Sequence, residues 1–329
     1  KAPKWLRNKP QSYFNRIRRR KKIDVEGDRI PPCCKTFAQM KLPEPLLNHL
    51  TGMGITTPTP IQMQGIPVLM SGRDMIGISY TGSGKTLVFT IPMIMLAMEQ
   101  EMMMPFRNAE GPFGLIVVPS RELAKQTYDV INEIIRVFDQ WGPPYPHLKA
   151  VLCMGGVPAT QMVNQLKDGC HFVVATPGRL MDSLNKKRFN LLQCRYLCLD
   201  EADRMVDMGF EEDVRTILSY FKAQRQTILF SATMPRKIQD FAKKSLCQPI
   251  SVNVGRAGAA NLCIEQHVIY AREDMKIRQI LACLEQTKPP VLVFTQQQTS
   301  ADDVYEYLLL KGVEVCCIHG GKDMPDRLA

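Results

Sequence analysis

The sequence predicts an α/β fold with a doubly wound parallel sheet, followed by the start of a second domain of the same kind. Three observations lead there. Short apolar runs without polar alternation are typical of strands buried on both faces. Segments of helical length separate these runs. The 329 residues also exceed the usual length of one domain. Ligands bind at the carboxyl ends of such strands, so we expect functional residues there.

The individual elements follow from this alternation. Strands of the first domain are predicted over residues 75–79, 115–119, 150–154, 172–175, 196–199 and 227–230, and helices over 85–101, 121–138 and 158–167. A Gly/Ala-rich stretch precedes a second alternation, with apolar runs over 263–270, 291–295 and 313–318 and helices over 272–285 and 301–310. The predicted division is a basic N-terminal arm (1–30), a first domain (31–252), a linker (253–262) and part of a second domain (263–329).

The positive charge is confined to the beginning of the chain. The net charge is +10, and residues 1–22 hold ten of the 42 basic residues and no acidic one. The remaining 32 basic residues match the 32 acidic residues. Clustered cations suit phosphate contacts or a nuclear-import signal, and the alternative interpretation is a solvated tail.

Cysteine spacing and hydropathy exclude other classes. The eleven cysteines form no C-x-x-C pair or paired metal-ligand spacing, which predicts a reducing compartment and no structural metal in this chain. No apolar run reaches the roughly 18–20 residues of a membrane span. The longest candidate, residues 91–98, is interrupted by Pro92, so we expect no membrane partner.

The strongest motif is Ser79-Tyr-Thr-Gly-Ser-Gly-Lys-Thr86, between a predicted strand and a predicted helix. It departs from the G-x-x-x-x-G-K-[ST] pattern of a P-loop only at Ser79. Its glycines let backbone amides point at phosphate oxygens, while Lys85 reaches the β/γ-phosphates and Thr86 holds Mg²⁺. The predicted nucleotide contacts are Thr81, Gly82, Ser83, Gly84, Lys85 and Thr86.

An acidic motif completes the predicted metal site. Asp200-Glu-Ala-Asp203 follows a buried apolar run, at the end of another predicted strand. We expect Asp200 to hold Mg²⁺, partly through water, and Glu201 to orient or deprotonate the attacking water. Lys85, Asp200 and Glu201 are therefore the predicted catalytic residues.

Together with Pro58-Thr-Pro-Ile-Gln62 and Ser231-Ala-Thr233, these motifs occur in an order that resembles the DEAD-box ATP-dependent RNA helicases. The resemblance implies that the fold is RecA-like in both domains and that ATP is the nucleotide. It implies that Gln62 hydrogen-bonds the adenine edge and that Phe37 packs on the base. It also assigns Asp203, Ser231 and Thr233 to coupling between the ATP site and RNA.

The resemblance further implies RNA contacts after three strands. The matching segments carry Pro119, Arg121, Gly155, Gly156, Thr176, Pro177, Gly178 and Arg179. Such contacts grip the sugar-phosphate backbone and carry little sequence information. The implied partner is single-stranded or duplex RNA.

Longer runs, such as Arg204-Met-Val-Asp-Met-Gly-Phe210, resemble the abstrakt subgroup. This implies pre-mRNA splicing, spliceosomal protein partners and a nuclear location, with the cytoplasm as a second one. The His319-to-Arg327 segment departs from the family pattern at Met324 and Pro325. The family's arginine-rich motif is expected beyond Ala329, so we expect this chain to bind ATP but to hydrolyse it weakly.

The predicted function is therefore ATP-dependent RNA unwinding or remodelling of RNA–protein complexes. The main alternative is a non-catalytic, ATP-gated RNA clamp or adaptor, although an adaptor has no need of Lys85, Asp200 and Glu201 together. A DNA helicase or a transporter ATPase is a third interpretation. The Gln62 and Phe37 pair and the lack of a transporter signature motif argue against it.

Overall fold

The computed structural model describes residues 3–107, 110–156, 159–167, 169–255, 264–323 and 327. Contacts divide the chain into two compact units, Lys1–Ala259 and Ala260–Ala329. The division falls within the stretch that the sequence predicts as a linker. Residues 256–263, which include most of that linker and the first residue of the predicted second domain, lie outside the described residues.

Unit 1 is built on one eight-stranded sheet with the order β1-β8-β2-β7-β6-β3-β5-β4. Only β1 runs antiparallel, against β8. The other neighbouring strands are parallel. The strands are β1 (Ile23–Glu26), β2 (Met75–Ser79), β3 (Gly114–Val117), β4 (Ala150–Cys153), β5 (Phe172–Ala175), β6 (Tyr196–Leu199), β7 (Gln226–Ser231) and β8 (Ile250–Val254).

All six predicted strands of this unit are present, and two further strands escaped the sequence analysis. β3, β5, β6 and β7 are buried along their whole length, as continuous apolar runs predict. In β8, Ile250, Val252 and Val254 are buried and alternate with half-buried polar residues. β1, Ile-Asp-Val-Glu, alternates similarly at the sheet edge. Both strands therefore lack the apolar run that revealed the others, and β8 occupies positions 253 and 254 of the predicted linker.

Helices cover both faces of the sheet. In unit 1 they are α1 (Lys4–Arg7), α2 (Gln11–Lys21), α3 (Glu44–Gly52), α4 (Pro60–Leu69), α5 (Lys85–Met103), α6 (Arg121–Trp141), α7 (Ala159–Lys167), α8 (Pro177–Asn185), α9 (Ala202–Asp207), α10 (Glu211–Ser219) and α11 (Arg236–Ser245). Leu115, Val173 and Leu197 pack with Leu180 and Ile217 on one face. Their neighbours along each strand point to the other face. The predicted α/β doubly wound fold is confirmed.

Residues 3–30 do not form a solvated tail. Phe14 and Ile17 of α2 are buried, and β1 extends the sheet. Arg18, whose side chain is also buried, donates hydrogen bonds to Gln64 of α4 at 3.0 Å, to Asn15 and to the Pro31 carbonyl. The basic run is therefore a docked helix, and one of its cations faces inward.

Unit 2 contains α12 (Lys276–Gln286) and α13 (Gln298–Leu310), close to the predicted helices. Short 3₁₀ turns span Phe37–Met40 in unit 1 and Glu273–Met275 in unit 2. The described part of the predicted runs 263–270, 291–295 and 313–318 contains no strand. Side chains such as Val268, Leu292 and Phe294 are exposed there, so these runs lack the neighbours that a buried strand requires.

The ten cysteines described in the structure are all free thiols. Burial raises the pKa of the Cys33 thiol to about 11 and that of Cys194 to about 12. Such thiols behave as small apolar side chains. Among the helices that the structure describes, none is long and apolar enough to cross a membrane.

Candidate nucleotide and RNA site

The predicted functional segments meet at one edge of the sheet, where the parallel strands end. The P-loop follows β2, Ser231-Ala-Thr233 ends β7, and the acidic motif follows β6. These three strands are adjacent, and we call their carboxyl edge the nucleotide half. The predicted RNA segments follow β3, β5 and β4, which are also adjacent, and we call that edge the RNA half.

The P-loop is a tight turn between β2 and α5. Gly82 and Gly84 have φ values of 75° and 86°, which favour glycine. Lys85 is the first residue of α5 and is 8% exposed. The Ser83 hydroxyl donates to the Ser79 hydroxyl at 3.0 Å, and both side chains are buried. This bond ties the middle of the loop to the end of β2.

Gln62 connects the adenine-side motif to the P-loop. Its side chain is buried, its Oε1 accepts from the Thr59 N–H at 3.0 Å and its Nε2 donates to the Gly84 carbonyl at 3.0 Å. A carboxamide has a second N–H and a second acceptor position, so hydrogen bonds to an adenine edge remain available. Phe37 is buried and begins a 3₁₀ turn. The segment just before this turn is attached to α4, because the Cys34 N–H donates to the Met63 carbonyl.

The acidic motif lies deep at the end of β6. Asp200 is 3% exposed, and its Oδ1 accepts from the Glu201 N–H at 3.0 Å. Burial raises the pKa of the Asp200 carboxyl to about 6, against the opposing charge of Lys85, and the charge of Glu201 adds to the rise. Glu201 has a φ of 54°, which costs roughly 1 kcal/mol or more for a residue other than glycine. This backbone places Glu201 half-buried beside Asp200.

These residues fit a magnesium ion. Mg²⁺ prefers carboxylate and hydroxyl oxygens and retains several waters. Thr86 offers a hydroxyl at the second position of α5, and Asp200 offers a buried carboxylate. Among the described groups, none donates a hydrogen bond to Asp200 Oδ2, so this oxygen is available to a cation or its water.

Asp203 binds the end of β7. Its Oδ2 accepts from the Thr233 N–H at 2.9 Å and from the Thr233 hydroxyl at 2.8 Å. The Ser231 hydroxyl donates to the Thr233 carbonyl at 2.6 Å. Burial alone would raise the pKa of Asp203, but the hydrogen bonds from Thr233, together with those from Ser231 and the Arg204 N–H, outweigh it and the pKa is lowered. The predicted coupling residues are therefore in direct contact.

In the RNA half, several of the predicted contact residues are exposed to solvent, and the glycines among them expose main-chain atoms. Arg121 begins α6 on the exposed surface, and its guanidinium lies against Gly155: a Cβ there would be 2.9 Å from Arg121 Nη2. Gly156 has a φ of 91° and is exposed. The Thr176 N–H donates to the Cys153 carbonyl at 3.1 Å and so joins the ends of β5 and β4.

The remaining RNA-half residues lie on the same edge. Pro119 is buried just before Ser120, whose hydroxyl caps α6 by accepting from the Leu123 N–H at 3.2 Å. Pro177, Gly178 and Arg179 form the first turn of α8, and a Cβ at Gly178 would meet nothing within 4 Å. The ends of β3, β5 and β4 thus place these predicted RNA-contact residues along one edge of the sheet.

Sequence reasoning missed two parts of the site. The first is Ser79, which it treated as a departure from the P-loop pattern, whereas Ser79 braces the loop through Ser83. The sequence did contain a signal for this contact, because a serine in place of the first P-loop glycine adds a hydroxyl that needs a hydrogen-bond partner when it is buried. The second is the bond from Gln62 to Gly84, which no spacing in the sequence indicates.

Comparisons with known proteins agree with this geometry. The sequence model of the family described as DEAD/DEAH box helicase matches residues 59–241. The chain is 56% identical to DEAD-box ATP-dependent RNA helicase 35A of Oryza sativa subsp. japonica, over 99% of the chain and 52% of that protein. It is 52% identical to ATP-dependent RNA helicase abstrakt of Drosophila melanogaster, again over 99% and 52%. The chain thus spans about half the length of these curated relatives.

A solved structure supports the same assignment. The yeast DEAD-box splicing factor Prp28 superposes with a TM-score of 0.71 at 28% identity, over 98% of this chain and 74% of that one. The similarity to DEAD-box helicases and to abstrakt, predicted from the motifs, is confirmed. The family match covers more than half of the chain and includes the P-loop, the acidic motif and the Ser231-Ala-Thr233 segment. The chain belongs to the DEAD/DEAH box helicase family.

Proposed function

We propose that the protein is an ATP-dependent RNA helicase that unwinds short RNA duplexes locally, or remodels RNA–protein complexes, by hydrolysing ATP. The observation that carries the proposal is the single sheet edge that holds both halves of the site. A buried Lys85 and a buried Asp200 lie in the nucleotide half, and Arg121 lies open in the RNA half. The names of the abstrakt and rice relatives support the same activity.

The nucleotide half binds ATP. The P-loop amides and Lys85 hold the phosphates, while Gln62 and Phe37 select adenine. Thr86 and Asp200 hold Mg²⁺, which neutralises phosphate charge when bound. Glu201 orients the attacking water, and the burial of Lys85 and Asp200 strengthens their electrostatic effect on the transferred phosphoryl group.

The RNA half binds the sugar-phosphate backbone of one strand. Arg121 and Arg179 supply charge, and the glycines at 155, 156 and 178 let the backbone of the protein approach closely. The bond between Asp203 and Thr233 passes the state of the nucleotide half to the neighbouring strand ends. Because these contacts read shape rather than bases, the RNA is chosen by its accessibility or by partner proteins.

We further propose that the protein acts in pre-mRNA splicing, in the nucleus and secondarily in the cytoplasm, together with spliceosomal proteins. The support is its structural similarity to Prp28, which is described as a splicing factor. Depletion of the protein should then cause unspliced transcripts to accumulate. Normal splicing after depletion would contradict this part of the proposal.

Strand separation tests the enzymatic proposal. A short RNA duplex with a single-stranded extension should be separated in the presence of ATP and Mg²⁺, and remain paired with a non-hydrolysable ATP analogue under multiple turnover. The adaptor alternative predicts ATP-dependent RNA retention without separation in either case. A DNA duplex of the same sequence, if separated equally well, would contradict the assignment to RNA.

A further inference from the structure

The outward face of α2 is a second cationic surface, away from the RNA half. Arg16, Arg19 and Arg20 are exposed, and at 100° per residue they fall within an arc of about 100° on the helix. Phe14 and Ile17 lie on the opposite side of the helix and are buried. The three arginines therefore project together into solvent.

The helix that carries them is fixed in place. Arg18 bonds Gln64 at 3.0 Å and the Pro31 carbonyl at 3.2 Å, so it holds α2 against α4. β1 follows α2 directly and pairs with β8 over four residues. A docked helix presents its side chains with less loss of conformational entropy on binding than a flexible tail does.

Within the described residues, these three cations lack an acidic partner. In the part of the chain that the structure describes, no carboxylate forms an ion pair with Arg16, Arg19 or Arg20. The ten cations of residues 1–22 equal the whole net charge of +10. The chain thus concentrates its unbalanced charge in the segment that includes this face.

The composition of the face favours a nucleic acid over a protein. Its other outward residues, Ser12 and Asn15, are polar and exposed, and the half-buried Tyr13 at its edge lies beside a further cation, Lys9 Nζ, 5.9 Å from its ring centroid. The centre of a protein–protein interface is depleted in charge and enriched in apolar side chains, whereas nucleic-acid interfaces are polar and strongly cationic. Arginine also binds phosphate through two parallel N–H groups.

We propose that the outward arginine face of α2 binds the phosphates of RNA that lies outside the RNA half. The sheet order separates β1 from β3 by five strand spacings, about 24 Å, so one short strand does not cover both surfaces. The face therefore anchors the outlying part of a longer RNA, while the RNA half holds the strand being separated. The inference rests on the proposed function only in taking RNA as the ligand.

The test uses Arg16→Gln, Arg19→Gln and Arg20→Gln together in the whole chain. The probes are two labelled oligouridines, one short enough to cover only the RNA half and one several times longer. The triple variant should bind the long probe about tenfold more weakly at about 0.1 M salt, with unchanged affinity for the short probe. The slope of log affinity against log salt for the long probe should fall by about two, since each phosphate contact on a single strand contributes about 0.7.

The matched control removes three exposed cations elsewhere, with Lys187→Gln, Lys222→Gln and Lys243→Gln. It should leave the affinity for the long probe within about twofold, because scattered charges give only a weak, screened attraction. Replacing the three arginines by lysines should restore the salt slope but only part of the affinity, because lysine lacks the planar fork. Unchanged circular dichroism and melting temperature show that α2 remains docked.

Several outcomes would overturn the proposal. The proposal is wrong if the triple arginine variant loses as much affinity for the short probe as for the long one, or loses none. It is also wrong if the control with three Lys→Gln substitutions loses as much affinity for the long probe. If polyglutamate binding is lost while RNA binding is unchanged, the face belongs to an acidic protein. ATP-dependent separation of a short duplex by the wild type tests the proposed function separately, and the triple variant should leave it unchanged.

Discussion

The nucleotide half and the RNA half of the sheet edge differ in how far their functional residues are exposed to solvent. In the nucleotide half, Lys85 is 8% exposed and Asp200 is 3% exposed, and Gln62 is buried with both ends of its amide bonded. In the RNA half, Arg121, Gly156 and Gly178 are exposed. Both halves end strands of one continuous sheet.

This difference in exposure follows from the function that we propose for each half. Phosphoryl transfer depends on fixed charges in a site that excludes water, because electrostatic effects are stronger there. An RNA backbone needs a flat surface that it can enter and leave. The contrast teaches that one fold can hold a rigid and an open site side by side, provided that a bond such as Asp203 to Thr233 joins them. Three changes would break or sharpen this comparison, and a fourth tests the opposite edge of the same sheet.

The largest expected effect comes from Lys85→Ala. It removes the buried cation of the nucleotide half, so ATP turnover should fall by about a hundredfold or more. RNA binding without nucleotide should stay within about twofold of the wild type, because the RNA half is untouched. Steady-state phosphate release and an RNA titration measure the two effects. Lys243→Ala, an exposed lysine on α11, is the control, and an equal effect of both variants would refute the role of Lys85.

A smaller effect is expected from Thr233→Val, which removes the hydroxyl bond to Asp203 and keeps the shape of the side chain. The stimulation of ATP hydrolysis by RNA should fall about tenfold, while the KM for ATP stays near the wild-type value. Thr216→Val on α10 removes a hydroxyl that bonds only its own helix, and should change neither quantity. Undiminished RNA stimulation in Thr233→Val would show that the two halves communicate by another route.

Gly155→Ala tests the RNA half alone. The new Cβ would lie 2.9 Å from Arg121 Nη2, so the guanidinium must move. RNA affinity should fall about fivefold, with ATP binding unchanged, as expected for the loss of one phosphate contact. Gly52→Ala is a suitable control, since nothing lies within 4 Å of its Cβ. If Gly155→Ala weakens ATP binding as much as RNA binding, the two halves are not separable.

The smallest effect concerns neither half but the opposite end of the sheet, where His171 precedes β5. Burial lowers the pKa of His171 below its ordinary 6.5, although Glu101, 3.0 Å away, opposes the shift. The unfolded chain therefore binds a proton first, so the folded state loses stability as pH falls below 6.5.

His171→Gln should reduce this acid-side loss, and His267→Gln, an exposed residue in unit 2, should not. Melting temperatures measured across mildly acidic pH provide the readout. Equal slopes for wild type and His171→Gln would show that another group dominates the pH dependence.

The sequence predicted secondary structure correctly where strands are completely buried. It predicted less at the β1 edge of the sheet and in unit 2. β5 and β6 are fully buried, so their apolar runs marked them clearly. β1 depends on pairing with β8, and α2 on the distant contact between Arg18 and Gln64, which no local pattern contains. In unit 2 the predicted helices form, but the described apolar runs find no strand partners.

The site was predictable as a set of motifs but not as a set of contacts. The P-loop pattern placed Lys85 at the start of the helix that follows β2, and the acidic motif placed Asp200 at the end of β6, where the structure has them. The bonds from Ser83 to Ser79 and from Gln62 to Gly84 join residues whose partnership depends on the path of the backbone. The roles of these residues in catalysis and RNA binding remain predictions that the variants above test.

The most direct test of the central claim is ATP turnover by the 329-residue chain with and without single-stranded RNA. The account predicts that the wild type hydrolyses ATP slowly and that RNA raises its turnover. RNA should raise the turnover of Thr233→Val much less, and Lys85→Ala should abolish turnover. If turnover survives in Lys85→Ala, or if RNA raises the turnover of Thr233→Val as much as that of the wild type, the nucleotide half is not an RNA-coupled site of hydrolysis. Either result would contradict the account.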